Sequence, residues 1–191
     1  RAVRDIFTSA VQEVWLDDEE SFEEVLDFLQ QRDASLVPRV KLFRQTTDLM
    51  GAFGVDRELE KALRPKIWLK SGGYLVVNQT EALVAIDVNT GKFVGSTSLE
   101  DTVFRINQEA VRELTRQLRL RDLGGIVVID FIDMEDAANR RAIYDALAEE
   151  LARDPARTQL LPMSDIGLIQ LTRKRTRPSL DHTLSRECPY C

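Results

Sequence analysis

The sequence predicts an α/β protein: a sheet with covering helices, preceded by a smaller α/β segment. Three observations carry that expectation. From Ala82 onward strand-like and helical stretches alternate, the pattern of strands layered under helices. The longest helical stretch, 100–120, carries Val103, Ile106, Ala110, Leu114 and Leu118 on one stripe, as a helix packed on a sheet requires. The first 65 residues have a β–α–β rhythm of their own, and Pro65 closes it.

In chain order, residues 10–16 read as a short strand, with Val11, Val14 and Trp15 apolar. Residues 19–32 read as a helix, because Phe22, Val25, Leu26 and Leu29 recur at helical spacing. Arg39 to Phe43 alternates as a strand. Residues 47–53 and 57–64 read as short helices broken near Gly51 and Gly54. Lys66–Lys70 and Tyr74–Gln79 flank Ser71-Gly72-Gly73, the signature of a hairpin. Ala82–Asn89 is a third strand, apolar enough in its first half to be buried. Gly124-Gly125 precedes the apolar strand Ile126–Asp130. A helix over 136–152 and strands over Thr158–Leu161 and Gly167–Thr172 complete the set, leaving a polar tail from Arg173 to Cys191.

No apolar run approaches the ~18–20 residues that span a bilayer. No signal-peptide pattern opens the chain, which predicts a cytoplasmic protein. The chain opens on Arg1 and closes on a metal-type cysteine pair, which predicts a piece of something longer. The net charge of −6 is unevenly spread. Nine acids against Arg32 alone crowd residues 12–33, so the rest of the chain is slightly basic and a polyanionic partner is not excluded. The acidic run itself reads as a solvated helix face.

Two strand ends carry candidate chemistry. Asp87 and Asn89 lie two residues apart near the end of an apolar strand and therefore share a face. Asp130 closes a second apolar strand, with Asp133 just beyond. Open α/β sheets place ligand sites at such strand ends. Two aspartates brought side by side repel unless a cation neutralises them, and hard oxygen donors suit Mg²⁺ or Mn²⁺. That is the equipment of phosphodiester hydrolysis, with Asn89 able to orient a water or a phosphate oxygen without adding charge. Carboxylates after strands are also common as caps and turn residues, and the spacing alone does not separate the two readings. Asn89-Thr90-Gly91-Lys92 imitates the end of a phosphate-binding P-loop but fails it, since Ile86 stands where the first glycine belongs and Phe93 follows Lys92.

Arg173, Lys174, Arg175 and Arg177 pack four cations into five residues, a candidate for phosphate contact, and Arg157 is a further candidate of the same kind. Arginines of the 100–120 helix are offset by Glu109 and Glu113 as helical ion pairs. Cys188-Pro189-Tyr190-Cys191 is half of a tetrahedral thiolate site, so either further ligands lie elsewhere or a second chain supplies them. His182 is a candidate third ligand, though a histidine without a metal fits the same position.

The stretch Glu81 to Lys92 closely resembles the catalytic strand of the RNase E/G family of endoribonucleases. Arg116-Gln117-Leu118-Arg119-Leu120-Arg121-Asp122-Leu123-Gly124-Gly125, running on to Met134, resembles the same family. So do Leu171 to Arg175 and the closing cysteine pair, in order and spacing. The resemblance implies a DNase I-like catalytic subdomain with a mixed sheet over residues 66–180, preceded over 1–65 by the last part of an RNase H-like subdomain and followed over 181–191 by a zinc-link segment. It implies Mg²⁺ on Asp87 and Asp130, Asn89 positioning the attack, and Cys188 and Cys191 sharing one Zn²⁺ with the same pair of a second protomer, in an assembly open to higher homo-oligomers. It further implies single-stranded, AU-rich RNA as substrate, cut in RNA processing and decay. A catalytically silent RNA-binding or assembly module of the same fold is the rival, but such a module has no need of Asp87, Asn89 and Asp130 together. A phosphoesterase for small substrates is a second rival, and the basic 173–177 cluster speaks against it.

Overall fold

The computed structural model describes residues 3, 7, 11–91, 99–164 and 166–186. The chain falls into two compact units that part between Leu59 and Glu60.

The first unit contains strand β1 (Val14–Leu16), helix α1 (Glu19–Arg32), a 3₁₀ turn over Ala34–Arg39, strand β2 (Val40–Leu42), and helix α2 (Leu49–Ala52). Helix α3 (Val55–Ala62) runs through the unit boundary. Asp18 caps α1 by accepting from the Ser21 amide at 2.8 Å. The chain returns through the 3₁₀ turn, so β2 pairs parallel to β1 with Val14 opposite Val40. Phe7, Leu29, Leu36 and Val40 form the core. The 3₁₀ turn contains Pro38, whose fixed φ and missing N–H are tolerated in so short a piece.

The second unit is a six-stranded mixed sheet of β3 (Lys66–Trp68), β4 (Tyr74–Gln79), β5 (Leu83–Asn89), β6 (Gly125–Asp130), β7 (Thr158–Leu160) and β8 (Leu168–Arg173). Their order is β3-β4-β5-β6-β8-β7, and β5 with β6 is the parallel pair while the other neighbours are antiparallel. A parallel pair needs a crossover, and helix α4 (Leu99–Leu120) lies in that connection. Helix α5 (Ala137–Ala152) joins β6 to β7, and the short helix α6 (Leu180–Leu184) follows β8. The mixed α/β architecture is the one the sequence predicts.

Strand alternation sorts this sheet into two faces. Leu75, Val77, Val84, Ile86, Val127, Ile129, Ile169 and Leu171 point to one face and are buried. They share one core with Ile106, Ala110, Leu114 and Leu118 of α4 and Ile143, Leu147 and Leu151 of α5. The opposite face is open: Val76, Ala85 and Val128 are half-buried, and Asp87, Asp130, Gln170 and Thr172 are exposed. Both helices thus cover the same face, and the strand-end carboxylates stand on the other. No helix among the described residues is long and apolar enough to cross a membrane.

Candidate active site

The central parallel pair brings the two predicted aspartates together. Asp87 of β5 and Asp130 of β6 are register partners, so their Cα atoms are one strand spacing apart, about 5 Å. Both side chains lie on the open face. Asn89 donates from Nδ2 to Asp87 Oδ2 at 2.7 Å, which fixes the orientation of that carboxylate. Burial pushes the Asp130 carboxyl above its ordinary range, and the charges of Asp87 and Asp133 push it the same way. A cation placed beside these groups would relieve that repulsion.

Neighbouring elements hold the frame. Asn107 of α4 is fully buried. It donates from Nδ2 to the Ile132 carbonyl at 2.8 Å and accepts from the Ile132 amide at 3.1 Å, pinning the loop that leaves Asp130. On the other flank the β3–β4 turn is clamped to α4, where the Glu109 carboxylate accepts from the amides of Lys70 at 2.5 Å and Ser71 at 3.0 Å. Glu109 therefore anchors backbone instead of balancing arginines of its own helix. Glu113 does pair within the helix, with Arg116. Gly91, at φ 65°, passes so close to this turn that a Cβ there would meet the Gly72 carbonyl oxygen at 2.3 Å.

Among the described residues, no group of three or more His, Cys, Asp or Glu side chains is arranged to hold a metal ion. Two adjacent carboxylates still suit Mg²⁺, which keeps several waters and is bound through one or two carboxylates plus substrate phosphate. Asp133 adds charge near Asp130 without joining such a cluster.

The basic cluster divides, and Arg173 departs from the phosphate-contact expectation. It is the last residue of β8, in step with Ile169 and Leu171, so alternation turns it inward. Its side chain is only 4% exposed and its Nε donates to Asp154 Oδ2 at 2.8 Å. Nη1 donates to Asp122 Oδ1 at 3.1 Å and to the Leu123 carbonyl at 2.8 Å. Burial works to raise the Asp154 pKa, but hydrogen bonds from Arg173 and the Ala156 amide, with the Arg173 charge, bring it below the ordinary value. Lys174 and Arg175 are exposed. Arg175 donates from Nε to the Gly124 carbonyl at 2.9 Å and lies over Gly124 and Gly125, which explains that glycine pair: a Cβ on Gly124 would meet Arg175 Cγ at 2.6 Å. Arg177 reaches Asp122 while its side chain remains 77% exposed. Arg175, Arg177 and His182 of α6 line a cleft of about 530 Å³ with Asp122 and Gln79. Arg157 is exposed beside the start of β7, and its carbonyl accepts from the Lys174 amide. Lys92, Cys188 and Cys191 lie outside the described residues.

One feature beside the aspartates escaped the sequence reading. Trp68 is 64% exposed on the open face, with Tyr74 next to it and Lys66 Nζ 4.2 Å and 3.6 Å from the two ring centroids. Its signal was present in the hairpin: Ile67 turns to the core, so Lys66 and Trp68 must turn away from it.

Comparison with known proteins gives the family. The family model described as "Ribonuclease E/G family" matches residues 1–176. "Ribonuclease G" of Escherichia coli strain K12 is 40% identical over 191 residues, covering 100% of this chain and 39% of that protein. The "Ribonuclease E/G-like protein, chloroplastic" of Arabidopsis thaliana is 38% identical, covering 99% of this chain and 19% of its own length. "Ribonuclease E" of Haemophilus influenzae is 36% identical over 100% of this chain and 20% of its own length. The chain thus spans about two fifths of the bacterial Ribonuclease G chains and about a fifth of the other two. With a family match over most of its residues and relatives at this identity across its whole length, the chain belongs to the Ribonuclease E/G family.

Proposed function

We propose that this chain carries the catalytic centre of a metal-dependent endoribonuclease that hydrolyses phosphodiester bonds in single-stranded RNA during RNA processing and decay. The observation that carries the reading is the register of β5 and β6, which sets Asp87 and Asp130 side by side on an open sheet face. Relatives named Ribonuclease G and Ribonuclease E support it. Preference for AU-rich sequence belongs to the same proposal, through the family resemblance.

Asp87 and Asp130 hold Mg²⁺ in this reading, and the cation, when bound, polarises the scissile phosphate and offsets its developing charge. Asn89 fixes the Asp87 carboxylate through its Nδ2 donor, and its amide orients the attacking water or a phosphate oxygen. Asn107 keeps the Asp130 loop from drifting. Lys174, Arg175 and Arg157, all exposed, contact the RNA backbone. Cys188 and Cys191 supply two thiolates of a tetrahedral Zn²⁺ site that a second protomer completes.

The test is cleavage of a short AU-rich single-stranded RNA by the full-length chain, with Mg²⁺ and with EDTA, beside its Asp130→Asn variant. Cleavage lost with EDTA and in the variant, with RNA binding kept, is the expected result. Cleavage that survives Asp130→Asn, or RNA binding lost along with it, removes the assigned role.

A further inference from the structure

The open sheet face carries two adjacent rows of register partners. One row runs Lys66, Val76, Asp87, Asp130 across β3, β4, β5 and β6. The next runs Trp68, Tyr74, Asn89 across β3, β4 and β5. Directly paired residues share a face, so the aromatic pair continues the surface that bears the aspartates. Trp68 stands two strand spacings from Asn89 and two residues further along from Asp87, about 12 Å from the latter. That is within reach of a nucleotide one or two positions from a phosphate held at Asp87 and Asp130.

A single exposed apolar residue says little, but an aromatic ring joined in one patch with a second ring and a cation is informative. Trp68 is the most exposed aromatic among the described residues. Its ring centroid lies 5.3 Å from that of Tyr74, at an interplanar angle of 60°. Lys66 Nζ sits against both rings, and a Trp still 64% exposed keeps most of its surface open. The two rings and Lys66 line a cleft of about 660 Å³ together with Gly72, Asn89, Thr90 and Gly91. The site is built as well as exposed: Glu109 clamps the hairpin turn, and a Cβ on Gly73 would meet the Asn89 carbonyl oxygen at 2.8 Å, so the hairpin is seated directly on the end of β5.

Aromatic faces beside a cation, in a cleft lined also by the Asn89 that bonds Asp87, match one ligand chemistry: an unpaired nucleobase and its phosphate. Every base has a π-face, and stacking on exposed aromatics is how single strands are gripped without base pairing. We propose that Trp68 and Tyr74 form a stacking ledge for a nucleobase flanking the scissile phosphate, with Lys66 meeting the adjoining backbone phosphate. The ledge rests on the endoribonuclease reading and deepens it, because a stacked base requires a single strand; a base held in a duplex cannot reach the rings.

The test uses the full-length chain and a short single-stranded RNA, unmodified or with one abasic site stepped through each position around the cleavage point. Trp68→Ala raises KM about 5- to 30-fold while kcat stays within about two-fold, and Trp68→Phe recovers most of the loss. One abasic position imposes the same KM penalty on the unaltered protein and adds nothing further in Trp68→Ala. Trp68→Ala lowers the melting temperature by only a few degrees, since the ring gives up its contacts with Tyr74 and Lys66 but leaves the buried core untouched, and KM is compared where both proteins are folded. Unchanged KM, a loss confined to kcat, or abasic penalties equal in both proteins at every position overturns the ledge. If the unaltered chain does not cleave, the reading beneath is what failed. The ledge is then judged by anisotropy on the same RNAs, where Trp68→Ala must raise Kd and lose its sensitivity to the one abasic position.

Discussion

Replacing Arg173 by Met separates two roles that a basic residue in this family can play. The guanidinium is inside the sheet–helix layer, bidentate to Asp154 at 2.8 and 3.2 Å and bonded to Asp122 at 3.1 Å. The side chains of Arg173 and Asp154 are 4% and 3% exposed. Removing one partner of such a pair leaves buried carboxylate charge uncompensated, a loss of about 3–5 kcal/mol. The Leu123 carbonyl loses its donor as well. For a unit of this size that corresponds to a fall of about 6–20 °C in melting temperature. Urea unfolding followed by circular dichroism measures it, and Arg173→Met with Asp154→Leu recovers much of the loss because no unpaired charge then remains at that position. A phosphate contact gives the opposite pattern: unchanged stability and a salt slope of RNA binding shallower by about 1. That outcome would refute the internal role. The pair also fixes a pH dependence. The Asp154 pKa is lowered in the folded protein, so its contribution is full above the ordinary value of 3.8 and is lost as pH falls through the lower folded value. Acid titration of Arg173→Met should lack that part of the transition.

Asn107→Leu strips the Ile132 amide and carbonyl of their buried partners, for about 2–5 kcal/mol of stability, and cleavage should fall further than RNA binding because the loop beyond Asp130 is released. Equal activity at matched folded fraction would deny Asn107 any part in positioning. Gly91→Ala puts a Cβ into the Gly72 carbonyl at a φ of 65°, so a loss of about 2 kcal/mol or more is expected by denaturant titration, and a neutral result would contradict the close approach of the turn to β5. If the proposed zinc link holds, Cys188→Ser should release zinc by elemental analysis and shift the mass from dimer or higher toward monomer by light scattering; an unchanged mass would remove the cysteine pair from assembly.

Period and punctuation in the sequence foretold most of the sheet. Apolar runs leading to Asp87 and Asp130 marked both strands, and the apolar stripe over 100–120 marked the helix between them, while their parallel pairing comes from the structure. What was not legible depended on partners far along the chain. Arg173 read as tail because the strand was ended one residue early, and that single step decides whether a cation faces water or Asp154. Glu109 looked like a helix-surface acid until the hairpin turn arrived from 38 residues away. The 3₁₀ turn over Ala34–Arg39 and helix α6 are too short to set up a period, and Ser179 alone marks the start of α6. Trp68 was counted only as part of a strand; its exposure follows from which face α4 and α5 cover.

The Asp87–Asp130 spacing is inherited from the hydrogen-bonded ladder between β5 and β6, not from mobile loops. The candidate chemistry is therefore mounted on two paired central strands, whose neighbouring residues Ile86, Val88 and Ile129 lie in the packed core. A change that alters carboxylate separation must deform the sheet itself and will register as lost stability before it registers as altered reactivity. In the endoribonuclease reading, contacts that discriminate among RNAs can vary at exposed positions on the margins of that face, such as Trp68, Lys174 and Arg157, without moving the two carboxylates.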